Sequence, residues 1–446
     1  MRLLPLLTLV AGFALLSCLV QAAGAASLVV AASDSSNLVK NQADYVCDGT
    51  SDQIEINKAL SAIPAGGTVI LAKGHYTLDG NVAPKSSTTL KGEGEDATFL
   101  KFVSSSAISL ASVNNVKVSD LQINGKGRVY ISSSHHVIEN VKVYNVDNSY
   151  MAAFIIYAYS KTVEDIQFIN CKAIDCDRWG FVHNGAGWGT PSVVRNISYT
   201  DCQAINCGRY EQYYGERSQY SEAWDVGFDI AEYIDTVEDV TYTRCIAEGT
   251  WESGFHAEPP PKLKNVRLID CVSRDNGQKQ KTGAAHPDFG AGYLVMEGMT
   301  LENCISEDNI VGFMCDYPDS SSVSGSSDKG SKIGFRILSV GAGGLKIDSS
   351  SVKNSPEPVL FLAGGSKVSM NGLTISSDTS RSTAGIRVQS RVSAPSSILV
   401  ANSKISGYAT GINNQASANG LVQVSNVEVT GAKTNFIGTK VIGPVL

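Results

Sequence analysis

The feature that most restricts how this chain folds is a phrase that returns along its middle. An Asp or Asn is followed by an aliphatic residue and then by alternation, at Asp120-Leu121, Asn140-Val141, Asp165-Ile166, Asn196-Ile197, Asp239-Val240 and Asn265-Val266. The spacings of 20, 25, 31, 43 and 26 residues describe one unit with insertions. Each phrase opens a short period-two run such as Ile166-Gln167-Phe168-Ile169, which reads as a strand. A cysteine follows in phase at Cys171, Cys202, Cys245, Cys271 and Cys304. Farther on comes a glycine–aromatic pair, at Gly180-Phe181, Gly227-Phe228, Gly254-Phe255, Gly292-Tyr293 and Gly312-Phe313. Short strands at this period, without amphipathic helices between them, predict a parallel β-helix: one turn alone cannot bury its apolar face, and stacking buries it. The expected fold class is all-β, a single-stranded right-handed parallel β-helix (a solenoid) with a short N-terminal capping helix. That helix is expected over residues 51–62, where Ile54, Ile56, Ala59 and Leu60 are apolar. It would close the open end of the coil and hide its unpaired edge.

The periodicity makes the length of 446 residues one solenoid rather than several domains. Residues 1–26 stand apart. Arg2 precedes a run from Leu3 to Val20 that is apolar apart from Thr8 and Ser17, and small residues follow from Ala22 to Ala26. This reads as a signal peptide or an uncleaved membrane anchor. Leu15-Leu16-Ser17-Cys18 also resembles a lipoprotein cleavage box. Residues 27–446 are then the β-helix domain, with a capping segment at 44–78, a Ser/Gly-rich loop at 320–332 and C-terminal turns at 333–446. The expected location is secreted, periplasmic or at the cell surface, with membrane contact only through an uncleaved or lipidated N-terminal segment. A net charge of −7, from 36 Lys+Arg against 43 Asp+Glu, argues against nucleic acid as a partner. Of ten cysteines, Cys18 lies in the leader. The repeat phase of the others predicts buried free thiols stacked in a ladder rather than disulfides.

Near the start, the chain reads Asp44-Tyr45-Val46-Cys47-Asp48-Gly49-Thr50-Ser51-Asp52-Gln53. Then follow Pro64-Ala65-Gly66-Gly67-Thr68-Val69-Ile70-Leu71 and Gly74-His75-Tyr76-Thr77-Leu78. This segment resembles the N-terminal part of the pectate-lyase-like right-handed parallel β-helix superfamily, especially its secreted or surface carbohydrate-binding proteins and sugar hydrolases. The resemblance implies a polysaccharide or surface glycan as partner. Its implied chemistries run from polysaccharide lyases and glycoside hydrolases to esterases and members with none. The chain lacks the Asn-Thr-Asp, Asp-Asp, Gly-His-Gly and Arg-Ile-Lys elements of polygalacturonases. It also lacks the Asp-His and Arg-x-Pro-x-x-Arg elements of the main pectate lyase group. Fold therefore does not carry those activities.

The glycine–aromatic pair also serves as a ruler. If its aromatic points inward, the first and third residues after it point outward. Successive turns then present Val182 and Asn184, Asp229 and Ala231, His256 and Glu258, Leu294 and Met296, Met314 and Asp316. With turns about 4.8 Å apart, Asp229, His256 and Glu258 are expected together on one exposed face, flanked by Asn184 and Asp316. Before the pair, Trp224-Asp225 and Trp251-Glu252 occupy equal offsets and predict aromatics beside acids. Aromatic faces bind pyranose C–H surfaces, and carboxylates do acid/base work. The candidate catalytic residues are Asp229 and Glu258 as acid and base or nucleophile, His256 tuning them, and Asp225 and Glu252. The candidate substrate-binding residues are Trp224, Trp251, Tyr214, Trp179, His183, Asn184 and Arg217, two of them in a long insertion at 208–223 expected to wall a groove. An acid-rich cluster favours a glycoside hydrolase over a polysaccharide lyase, which needs a basic group and a positive groove. The alternative is a non-catalytic envelope or surface protein that binds glycans. No cofactor is required, although Asp225, Asp229, Glu232 and Glu252 are oxygen ligands of the kind Ca²⁺ takes. His75 and the His135-His136 pair read as structural or solvated.

Overall fold

A computed structural model describes residues 26–146, 152–185, 187, 189–208, 226–257, 262–277, 290–362, 367–392, 397–416 and 421–444. Within these residues every strand pairing is parallel, each strand lying between its counterparts one turn before and one turn after. Three sheets run the length of the coil. The first contains Thr162–Ile169, Val193–Thr200, Thr236–Thr243 and Lys262–Ile269. The second stacks Lys172–Ile174, Gln203–Ile205, Ile246–Glu248 and Val272–Arg274. The third is built from β1 (Phe154–Tyr157), β2 (Phe181–Asn184), β3 (Phe228–Glu232), β4 (Phe255–His256), β5 (Ala291–Leu294), β6 (Val311–Asp316) and β7 (Ile333–Leu338). The chain is a parallel β-helix.

The glycine–aromatic pair aligns along the third sheet. Phe154, Phe181, Phe228 and Phe255 stack face to face inside the coil, with ring centroids 4.6, 4.8 and 4.8 Å apart. Tyr293, Phe313 and Phe335 continue the column. The glycine that precedes every ring except Phe154 has a steric cause: a Cβ at Gly227 would lie 2.8 Å from the carbonyl oxygen of Gly254 in the next turn. The cysteines form the expected ladder. All nine that are described are buried and free, and the Cys202 and Cys245 thiols each donate to a carbonyl of the preceding turn, at 3.6 Å from Phe168 O and Tyr199 O.

The Asp/Asn phrase proves to be two ladders. Asp120 and Asn140 continue into Asn170 and Asp201 at the corner before the second sheet, whereas Asp165, Asn196, Asp239 and Asn265 kink the strands of the first. All adopt left-handed backbone, with φ from 49° to 60°. Asn and Asp tolerate that region and bond locally within it. Here they also bond along the axis, Asn170 Nδ2 donating to Asn140 Oδ1 at 2.9 Å and Asn265 Nδ2 to Asp239 Oδ1 at 2.7 Å.

Helix α1 (Asn37–Gln42) was not expected; α2 (Gln53–Ala62) matches the capping helix. Ile56, Ala59 and Leu60 of α2 are buried, while Ile54, counted with them, is 49% exposed. Asp52 ties α2 to the first turns, its carboxylate accepting from Gly49 N at 2.8 Å and Thr77 N at 2.7 Å. The stretch 320–332 is not a loop. It contains strands Ser321–Ser324 and Ser327–Lys329, paired with Met299–Glu302 and Ile305–Glu307. Its Ser and Asp side chains hide the alternation because Ser326, Asp328 and Ser331 face inward and are buried: Asp328 accepts from the hydroxyls of Ser306, Ser331 and Ser355, and Ser326 donates to Ser324 O and accepts from Cys304 N. No helix among the described residues is long and apolar enough to cross a membrane.

Candidate functional site

The site lies on the outer surface of the third sheet. Backbone pairing places Val182 beside Asp229 and Asp229 beside His256, in one row running along the axis. Tyr130 and Ile155 extend the row toward the N-terminus; Leu294, Met314 and Arg336 extend it the other way. The second outward row does not follow the ruler. A register shift between Val182 and Asn184 sets Glu232, not Ala231, opposite Asn184, and Ala231 turns into the core. Two residues against one is the count of a β-bulge, which re-aims the side chains beyond it.

His256 sits between two carboxylates. Its Nδ1 is 3.8 Å from Asp229 Oδ1, and its Nε2 is 3.8 Å from Glu252 Oε1. Asp229 Oδ1 also accepts from Ala231 N at 3.3 Å. Asp229 and His256 point outward as expected but are not exposed: each is 1% accessible, and Glu252 is buried with them. Asp229 Oδ2 has no hydrogen-bond partner among the described residues.

Several candidates fall elsewhere. His183 faces the interior, since it lies one residue after an outward position and one before the next. Its Nδ1 donates to Ile230 O at 2.9 Å, and its Nε2 accepts from Tyr199 Oη at 2.7 Å. Burial pushes its pKa down to about 4. Trp179 and Trp251 are buried as well. Trp179 carries the Arg178 guanidinium 3.7 Å over its ring, and Trp251 is held at a corner by its backbone N–H, which donates to Cys207 O at 3.0 Å. Neither offers the open ring face a sugar needs. Asn184 points outward and is half-buried. Asp316 pairs with Arg336, which donates to its Oδ2 at 2.8 Å; burial nonetheless raises its pKa. Glu258, Asp225, Trp224, Tyr214 and Arg217 lie outside the described residues. Ligand-spaced clusters among the described residues occur away from this site, at Cys47, Asp52 and Glu55 and at His135, Glu164 and Asp165. His136 is buried with its pKa pushed down to about 4, and His75 pairs with Asp34 at 2.6 Å.

Sequence reasoning missed what surrounds the acids. Outside the coil, Ala152, Ile155, Trp179, Val182 and Val226 form a second apolar cluster, against which Tyr130 and Tyr157 pack. The signal was present: counting from Phe154, the ruler yields Ile155 and Tyr157 as outward. It went unused because Ala153 stands where the other turns have glycine.

No protein-family model matches the chain, and no curated protein matches it. Among solved structures, the A-module of mannuronan C-5 epimerase AlgE4 from Azotobacter vinelandii is 14% identical, with a TM-score of 0.55 over 89% of this chain and 97% of that one. The A-module of the same organism's AlgE6 is 15% identical, with a TM-score of 0.51 over 87% and 97%. The pre-mature gene product 12 of bacteriophage phi29 is 14% identical, with a TM-score of 0.57 over 89% of this chain and 54% of its own. At these identities the likeness is one of fold.

Proposed function

We propose that this chain, a parallel β-helix of the pectate-lyase-like kind, acts on a polysaccharide laid along its third sheet. Asp229 is the proton-transferring carboxylate, His256 sets its charge, and Glu252 holds the far side of the imidazole. The observation that carries this reading is Asp229 Oδ2, an outward carboxylate oxygen buried without a hydrogen bond among the described residues. Such an oxygen costs about 1–3 kcal/mol or more. A stacked shell gains nothing from keeping it, whereas a substrate hydroxyl or ring proton supplies the missing partner. An imidazole facing two carboxylates is placed to pass a proton between them. The space between Asp229 and Glu252 is filled by this imidazole, so these two are not a pair flanking a glycosidic bond. Glu232, outward on the same strand, is the second carboxylate the described residues offer for hydrolysis. The acid-rich rows favour hydrolysis over elimination. Two of the solved relatives are modules of an enzyme named for a reaction on a polysaccharide, which accords with the substrate class.

The burial of His256 favours a second reading, a glycan-binding surface protein without catalysis. One experiment separates them: wild type and Asp229→Asn incubated with polysaccharides, followed for reducing ends and for ultraviolet-absorbing unsaturated products. Reducing ends from wild type, reduced at least 100-fold in the variant, support hydrolysis. Unsaturated products indicate elimination instead. Absence of product from both proteins, with glycan binding intact, sinks the catalytic reading.

A further inference from the structure

We propose that Tyr130, Tyr157 and Tyr159 form a stacking track for a neutral polysaccharide, leading from Asp229 toward the N-terminal turns. The proposal rests on the polysaccharide reading above and adds the binding path and the charge class of the polymer. Tyr157 stands in the outward row one turn from Asn184 and two from Glu232. Tyr130 stands in the other row, three turns from Asp229. The Tyr130 and Tyr157 ring centroids are 6.1 Å apart and those of Tyr157 and Tyr159 6.3 Å, with the latter pair inclined by only 20°. Tyr159 is 58% exposed.

Two of the three rings are held in place before any ligand arrives. Tyr130 and Tyr157 rest on the outer apolar cluster around Ile155 and Val182. A solenoid whose interior is already filled has no structural need for apolar side chains outside it. As a cushion, the cluster holds ring faces in place, so binding does not first have to order them. The occupant follows from spacing and chemistry. Turns recur about every 4.8 Å, close to the length of one pyranose unit in an extended chain. Tyrosine presents both a C–H-binding face and a hydroxyl. A peptide adding as a strand is disfavoured, because strands here are already paired on both sides. Neutrality follows from charge. Between Tyr157 and Leu294 the described residues of both rows include Asp229 and Glu232 and no Lys or Arg. Arg128, two residues before Tyr130 on the same strand, lies at the far end. A polymer carrying a carboxylate on every sugar would be repelled where it must react.

The test is affinity electrophoresis through gels cast with glucomannan, laminarin, pullulan or polymannuronate. Wild type is expected to be retarded by at least one neutral polymer and not by polymannuronate. The double variant Tyr157→Ala, Tyr159→Ala should bind that polymer at least tenfold more weakly, while Tyr157→Phe, Tyr159→Phe, which keeps the ring faces, retains most of the retardation. Wild-type binding by the alanine variant overturns the track, as does preference for polymannuronate or failure to bind any neutral polymer. Tyrosine-dependent binding without product from wild type would remove the catalytic reading and leave the track standing; product formation indifferent to the tyrosines would do the reverse.

Discussion

Asp328 is the clearest case of a single residue working against its surroundings. It lies inside the coil, 1% accessible, and accepts from the hydroxyls of Ser306, Ser331 and Ser355 at 2.7, 2.5 and 2.7 Å. Burial outweighs those bonds and pushes its pKa up to about 6. The folded value is above the unfolded one, so the folded state holds the proton more tightly. Stability is therefore greatest below the unfolded value and declines as pH rises through about 6, by about 3 kcal/mol in total. Urea unfolding of wild type and Asp328→Asn is expected to show wild type losing ground between pH 4 and 6, with a constant gap above. A gap that ignores pH would refute the assignment. His183 and His136 have the opposite sign, since burial lowers both to about 4 and their contribution is lost on acidification. Of these residues, the interior placement of His183 was legible in the ruler. Asp328 was not, because an aspartate inside a serine run looks like loop composition until three inward hydroxyls are found to satisfy it.

At the scale of the element, each strand is held chiefly by identical neighbours. Phe228 is stacked between Phe181 and Phe255 and meets Tyr199 and Tyr242 edge-on. Removing it leaves a cavity that the flanking turns cannot close, because their spacing is set by backbone pairing. Phe228→Ala is expected to cost about 3–5 kcal/mol in denaturant unfolding. Phe228→Leu, which preserves much of the volume, should cost markedly less. The same variant should impair any activity of Asp229, the adjacent residue, more than a distant variant of equal stability does. Equal activity at equal stability would show that the column does not position the acid. The inward aromatics and the thiol ladder were readable because both recur in phase. The bulge at Asn184 was not, since an extra residue leaves no mark on a period counted forward from Phe228; it exchanged Ala231 for Glu232 in the outward row. Merging two Asx ladders into one phrase had a similar origin, because both corners demand left-handed backbone and so select the same residue types.

For the molecule as a whole, contacts are made mainly between successive turns, so stability is a chain of local interfaces rather than one core. The two ends differ. Helix α2 packs Ile56, Ala59 and Leu60 into the first turns, whereas Ile437, Val441 and Ile442 in the last described turns are exposed. Hydrogen exchange is expected to show protection that is high from the capped end through the middle turns and falls toward residue 444. Uniform protection would indicate a single cooperative unit. The fold was legible at this scale because a solenoid writes its period into the sequence; the covered state of the acids was not, since outward and exposed are the same thing only on a bare coil. The regular rise of the turns has one more consequence. If a polymer lies along the axis, the protein meets it as a graduated scale, and a chain whose repeat differs slightly from the turn spacing falls out of step within a few sugars. Discrimination would then accumulate with length, so that short oligosaccharides are told apart poorly and long ones well.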